Sequence, residues 1–179
     1  MNLIKNLNKP IVLVGIMGAG KTTVGYRLSK ALDLPFYDID QEVEKIACCS
    51  VADIFFYAGE EYFRKVELKT IMSLIERKTP MVIATGGGAF INETIRKAIK
   101  QYCISIWLKA NIDILVERVA RKTTSRPLID GKDTLLVMEG LVSKRYPIYS
   151  QADISVDSEV QSHGHMVQSI LKSIEEYIS

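Results

Sequence analysis

The chain has 179 residues, of which 47% are hydrophobic and 25% are charged, and its formal net charge is +2. This length suits one compact domain, so residues 1–179 are expected to form a single unit with a sizeable core. The small net charge gives no indication of nucleic acid or an anionic membrane as a partner. The three cysteines lack the spacing of a metal site or a disulfide framework, so reduced thiols in a cytoplasmic protein are expected.

Short apolar runs alternate with helical patterns along the whole chain. In chain order, the predicted elements of the first half are a strand over 10–15, a helix over 22–32, a strand over 34–39, a helix over 41–47, a short helix opened by a capping box of Ser50 and Asp53, a helix over 60–78 and a strand over 81–85. The second half continues with a helix over 92–100, a strand over 103–108, helices over 112–120 and 134–146, a strand over 153–157 and a helix over 160–178.

Continuously apolar strands separated by helices indicate an α/β protein whose parallel sheet is covered on both faces. Ligands of such sheets bind at the carboxyl ends of the strands, so chemically informative residues should follow each strand. No stretch approaches the roughly twenty apolar residues of a membrane span, and no contact with a membrane is expected.

Residues 15–22, which follow the first strand, match the phosphate-binding pattern G-x-x-x-x-G-K-[ST]. Such a loop wraps a polyphosphate with backbone N–H groups at the N-terminus of a helix. Lys21 is expected to reach the β- and γ-phosphates, and the Thr22 hydroxyl to coordinate Mg²⁺. A chance match in a glycine turn is the alternative. The ATP-binding residues predicted here are Gly18, Ala19, Gly20, Lys21, Thr22 and Thr23.

Two acids, Asp38 and Asp40, stand where the second strand is predicted to end. On an extended segment, side chains two residues apart point to the same face, so both carboxylates are expected to enter the phosphate site. One would serve Mg²⁺, through water, and the other would receive a hydroxyl group of the acceptor. The alternative is a pair of capping acids, with Asp40 as the N-cap of the next helix.

Five further motifs follow in a fixed order behind the phosphate-binding loop. They are D-x-D at 38–40, F-R-x-x-E at 63–67, a glycine triplet at 86–88, R-P-L at 126–128 and R-x-x-x-Y at 145–149. On these motifs the sequence resembles the shikimate kinase family over almost its whole length. The resemblance implies a three-layer α/β/α fold with a five-stranded parallel sheet in the order 2-3-1-4-5. It also implies acceptor-binding helices over about 41–78 and a mobile lid over about 121–132.

The family's reaction would be transfer of the γ-phosphoryl group of ATP to the 3-hydroxyl group of shikimate. By resemblance, Asp38 would hold Mg²⁺ through water, and Asp40 would bind the acceptor hydroxyl as the candidate base. Arg64 and Arg145 would clamp the acceptor carboxylate, a task that suits a planar guanidinium. The backbone of Gly86, Gly87 and Gly88 would approach the acceptor.

Each of these acceptor residues also has a plainer explanation. Arg64 and Glu67 are helix neighbours that could form an ordinary surface ion pair. Arg145 could complement the dipole of its helix, and the glycine triplet could be a simple turn.

By the same resemblance, Arg126 would arrive with the lid and stabilise charge on the transferring phosphoryl group, and Arg121 would contact the nucleotide. The loop at 158–164 lacks the basic residue that the family often places near the adenine; Gln161 or His163 could serve there, and the alternative is that both are ordinary surface residues.

The partners implied are ATP, Mg²⁺ and shikimate, and the protein itself is expected to be a monomer. Two other functions stay open at this point. One is another small-molecule kinase that acts on gluconate or a nucleoside monophosphate, and the other is a nucleotide-dependent switch protein without an acceptor.

Overall fold

A computed structural model describes residues 7–120, 133–158 and 163–179 of the chain. In these ranges, a parallel sheet contains β1 (Ile11–Val14), β2 (Phe36–Asp38), β3 (Val82–Ala84), β4 (Ile104–Lys109) and β5 (Ile154–Asp157). The strand order is β2-β3-β1-β4-β5, as the resemblance implied. The central strand β1 pairs with β3 on one side and with β4 on the other. All four of its residues are wholly buried, which explains its continuous apolar run.

Helices connect the strands and form the outer layers. They are α1 (Lys21–Leu32), α2 (Ile39–Ala47), α3 (Val51–Tyr57), α4 (Gly59–Glu76), α5 (Glu93–Tyr102), α6 (Ile112–Ala120), α7 (Thr134–Tyr149) and α8 (His163–Ile178), with a 3₁₀ turn at Ala89–Ile91. Helices α1 and α8 pack against each other and contact β3 and β5, respectively. Helices α4 and α5 form a second packed pair, in which α5 contacts β4. No helix in the described ranges is long and apolar enough to cross a bilayer.

Several helix boundaries differ from the sequence prediction by one to three residues, and two of the differences have a local explanation. Helix α2 starts at Ile39, because the Asp38 carboxylate caps it by accepting the N–H groups of Asp40 and Gln41. Helix α7 continues through Pro147 to Tyr149 and is therefore longer than the predicted 134–146. The capping box of Ser50 and Asp53 is confirmed at the start of α3.

Candidate active site

The phosphate-binding loop connects β1 to α1 at the carboxyl edge of the sheet. Gly15, Gly18 and Gly20 have φ values of 144°, 84° and 92°, which side chains rarely tolerate. Gly15 has a second constraint, since an added Cβ would lie 2.9 Å from the carbonyl oxygen of Leu108 on β4. The glycines of the motif therefore serve the loop conformation itself.

Lys21 begins α1, and its side chain is only 9% exposed. Its Nζ donates hydrogen bonds to the carbonyl oxygens of Gly15 (2.7 Å) and Ile16 (3.0 Å). The ammonium group thus lies within the curve of the loop, where it adds positive charge to the helix N-terminus. Thr22 and Thr23 follow it in the exposed first turn of α1.

The side-chain oxygens of Thr22 and Asp38 lie together at the mouth of this loop, where both could be metal ligands. The Thr22 hydroxyl donates to Oδ2 of Asp38 at 2.6 Å, while Oδ1 of Asp38 caps α2. Hydroxyl and carboxylate oxygens beside a phosphate site fit Mg²⁺, which keeps several waters and needs few protein ligands. The described residues hold no cluster of three or more His, Cys, Asp or Glu side chains suited to a protein-only metal cage.

The expected geometry of the two acids was wrong in one respect. Asp38 ends β2, but Asp40 already lies in the first turn of α2, so the two are not alternate residues of an extended segment. The capping alternative was also wrong in detail, because Asp38 rather than Asp40 is the N-cap. The Asp40 carboxylate still reaches the cleft, where its Oδ1 lies 3.0 Å from the position of a Cβ added to Gly86.

Asp40 is surrounded by the walls of the cleft, although its side chain remains open to solvent. This partial desolvation, together with the nearby Asp38 carboxylate, raises the pKa of Asp40 above its ordinary value of 3.8. The positive charges of Lys21 and Arg64 oppose the shift but do not cancel it. The carboxyl group is thereby a better proton acceptor than an ordinary aspartate.

The glycine triplet lies against the side chains of α4. A Cβ added to Gly86 would lie 2.6 Å from Oε1 of Glu67, and one added to Gly88 would lie 2.7 Å from Nη2 of Arg64. A side chain at Gly86 or Gly88 would therefore displace the Glu67 carboxylate or the Arg64 guanidinium, a constraint that a simple turn does not have.

Arg64 is held from three sides. Its Nη1 donates to Oε2 of Glu67 at 2.8 Å, its Nε and Nη2 donate to Oε1 of Glu60, and its guanidinium lies 5.1 Å from the ring centre of Phe63. Glu67 is only 1% exposed, so this is not an ordinary surface ion pair. Burial raises the pKa of Glu67, against the opposing effect of Arg64. Its Oε1 accepts no hydrogen bond from the described residues and faces Gly86.

Arg145 reaches the same triplet from α7. Its Nη1 donates to the carbonyl oxygen of Gly87 at 2.9 Å, so its role is not confined to the helix dipole. The Tyr149 hydroxyl donates to the same carbonyl. Gly87 also lies beside the phosphate-binding loop, since a Cβ added there would be 3.3 Å from the backbone nitrogen of Met17. Arg64, Arg145 and the phosphate-binding loop therefore meet at one short segment.

Arg118 and Ser158 were not found by sequence reasoning. Arg118, on α6, donates to Oγ of Ser158 at 2.9 Å and to the carbonyl oxygen of Gly18 at 3.5 Å. The buried Ser158 hydroxyl donates in turn to the carbonyl oxygen of Ala19 at 3.1 Å. These bonds hold the phosphate-binding loop from behind. They join residues distant in sequence, and Arg118 is the only arginine of α6, so the sequence contains no signal for this contact.

The remaining predicted residues cannot be placed. Arg121 and Arg126 lie outside the described residues, as do Gln161 and the His163 side chain.

A phosphate-binding loop that shares its cleft with an acidic pair and a second basic subsite defines a kinase for a small anionic acceptor. Comparison with known proteins agrees with this class. The family model described as shikimate kinase matches residues 17–175.

Curated relatives and solved structures extend the match over the chain. The shikimate kinase of Bartonella quintana is 45% identical over 177 residues, covering 98% of this chain and 83% of its own. That of Caulobacter vibrioides is 45% identical over 166 residues, covering 93% of this chain and 82% of its own. The structure of Acinetobacter baumannii shikimate kinase in complex with shikimate superposes with a TM-score of 0.90 at 32% identity, covering 96% of this chain and 95% of its own.

The chain belongs to the shikimate kinase family, and it is an ATP-dependent kinase. The sequence had left two other functions open, a gluconate or nucleoside monophosphate kinase and a switch protein. Membership of the shikimate kinase family supports neither of them.

Proposed function

We propose that this chain transfers the γ-phosphoryl group of ATP to the 3-hydroxyl group of shikimate, with its acceptor bound between α4, α7 and the glycine triplet. One observation carries the proposal. The guanidinium groups of Arg64 and Arg145 converge on Gly86–Gly88, next to the Asp40 carboxylate and against the phosphate-binding loop. ATP alone needs neither arginine there, whereas an acceptor with a carboxylate and hydroxyl groups needs both kinds of partner.

ATP would be bound by Gly18, Ala19, Gly20, Lys21, Thr22 and Thr23. The backbone N–H groups of the loop and the N-terminus of α1 would bind the phosphates. The Lys21 ammonium would stabilise the negative charge on the transferred phosphoryl group. Mg²⁺ would be held by Thr22 and, through water, by Asp38, whose 2.6 Å contact brings two oxygen donors together. When bound, the cation would neutralise charge on the β- and γ-phosphates.

The acceptor would be oriented by Arg64 and Arg145 at its carboxylate and by the backbone of Gly86, Gly87 and Gly88. Asp40 would accept a hydrogen bond from the 3-hydroxyl group and direct its oxygen at the γ-phosphorus. The raised pKa of Asp40 suits it to take the hydroxyl proton late in the transfer. Because phosphoryl transfer has a loose transition state, the orientation of this hydroxyl contributes more than early proton removal.

Arg126 and Arg121, assigned by resemblance, would complete the nucleotide side. We also propose that the protein is cytoplasmic and acts as a monomer. Size-exclusion chromatography with light scattering would test the monomeric state.

A coupled assay of ADP release tests the proposed function directly. ADP formation should require both shikimate and Mg²⁺, and gluconate or AMP should support it far less. Equal turnover of gluconate would refute the acceptor assignment and leave ATP binding intact. ATP binding without any acceptor-dependent turnover would instead indicate the switch protein.

A further inference from the structure

Tyr149 places a buried phenol directly behind the acceptor subsite. The side chain is wholly buried, four residues after Arg145 and therefore about one turn further along α7. Both side chains donate to the same atom, the carbonyl oxygen of Gly87. A carbonyl oxygen has two lone pairs, so these two donors fill its capacity.

The phenol is held firmly in this position. Its ring centre lies 6.1 Å from that of Trp107 on β4 and 6.4 Å from that of Phe90 in the 3₁₀ turn. Burial raises the pKa of Tyr149 to about 12, so the hydroxyl keeps its proton and remains a donor at neutral pH. The Gly87 carbonyl is therefore fixed by a rigid group that does not itself face the acceptor.

Fixing this carbonyl also restrains Arg145. One N–H group of the guanidinium is directed at Gly87, and a planar fork with one arm anchored presents its other donors in a defined direction. If Gly87 could rotate, the anchored arm of Arg145 would follow it. A fork that must bind a carboxylate through two parallel hydrogen bonds tolerates such rotation poorly.

We propose that Tyr149 is a positioning residue, which acts through the Gly87 carbonyl to orient the Arg145 guanidinium toward the acceptor carboxylate. The inference rests on the proposed role of Arg145 and extends it to a residue that touches neither substrate. It predicts a defect confined to acceptor binding, since the phenol bonds to the glycine triplet, whereas Lys21, Thr22 and Asp38 lie on the nucleotide side of the cleft.

Tyr149→Phe tests the inference, with Tyr146→Phe as a matched control. Tyr146 lies on the same helix, packs against the same Trp107 at 5.0 Å, and donates its hydroxyl to the carbonyl oxygen of Ala110. Each variant thus loses one phenol hydrogen bond and should lose a similar amount of thermal stability. Only Tyr149→Phe should raise the KM for shikimate, by about three- to tenfold, with the KM for ATP within about twofold of its original value.

A double-mutant cycle with Arg145→Lys completes the test. The Tyr149→Phe penalty on shikimate KM should shrink in the Arg145→Lys background, because no oriented fork remains there to be disturbed. Equal KM changes in the two tyrosine variants, or full additivity in the cycle, would overturn the inference while leaving the proposed function standing. An unchanged shikimate KM in Arg145→Lys would overturn the proposed role of Arg145 and this inference with it.

Discussion

The closeness of Gly88 to Arg64 predicts that Gly88→Ala impairs acceptor binding without unfolding the protein. An added Cβ would lie 2.7 to 2.8 Å from three atoms of the Arg64 guanidinium. Ordinary van der Waals contact begins near 3.4 Å, so the guanidinium must withdraw by about 0.7 Å. The guanidinium is the end of a flexible, partly exposed side chain, and it can move at little cost in folding free energy.

The functional cost follows from the hydrogen bonds that this shift disturbs. Hydrogen bonds to charged groups contribute about 1.5–3 kcal/mol, so loss of one to the shikimate carboxylate should raise the KM by about ten- to hundredfold. The KM for ATP should stay within about twofold, and the melting temperature within about 2 °C. Steady-state kinetics with each substrate varied, and a thermal melt, measure all three quantities.

Two other glycines separate this effect from a general one. Gly140 on α7 has no atom within 4 Å of an added Cβ, so Gly140→Ala should leave both KM values unchanged. An alanine at Gly25 would place its Cβ 2.6 Å from the ring of Phe36, so Gly25→Ala should lower the melting temperature without selectivity for shikimate. A normal shikimate KM in Gly88→Ala, or an equal rise in the KM for ATP, would refute the reasoning.

The remaining predictions concern Asp38, Asp40 and Arg126. Asp38→Asn should weaken the Mg²⁺ dependence of turnover and spare shikimate affinity. Asp40→Asn should weaken shikimate affinity and spare the Mg²⁺ dependence, as measured by calorimetry and kinetics. The opposite pattern would contradict the assigned roles. Asp40 must be ionised to accept the hydroxyl, so kcat/KM should decrease as pH falls through its raised pKa, with an acid limb above pH 3.8 that is absent in Asp40→Asn. Arg126→Ala should lower kcat by about 10³-fold and change shikimate affinity less than about tenfold, with poor rescue by Arg126→Lys; near-normal turnover would remove Arg126 from the mechanism.

Much of the fold could be predicted because the signals are local. The apolar run of β1 and the phosphate-binding motif fix the first strand, loop and helix within a few residues. The boundary at Asp38 was missed because a carboxylate can cap a helix or continue a strand, and the sequence does not decide between them. The predicted helix over 134–146 stopped one residue before Pro147, whereas α7 accommodates this proline within its final turn.

The candidate site was harder to predict where contacts span long separations. The 2.8 Å pair of Arg64 and Glu67 was predictable as helix neighbours, but its burial was not. The convergence of Tyr149 and Arg145 on Gly87 joins positions about sixty residues apart. The R-x-x-x-Y motif and the glycine triplet identify these residues, but neither motif predicts the contact between them, because the contact depends on how α7 packs against the 3₁₀ turn.

The position of β1 at the centre of the sheet has a consequence for synthesis on the ribosome. Ile11 pairs with Val82 and Ile104, so the strand before the nucleotide loop lacks both neighbours until much of the chain has been made. The Ser158 hydroxyl, which supports Ala19 from 139 positions away, arrives later still. Contacts between such distant segments form slowly and leave apolar strands exposed in the interval. A chain stalled before β5 should therefore be sensitive to protease and bind ATP weakly. The phosphate-binding loop is translated early, but it becomes able to bind ATP only when the last strand has been made.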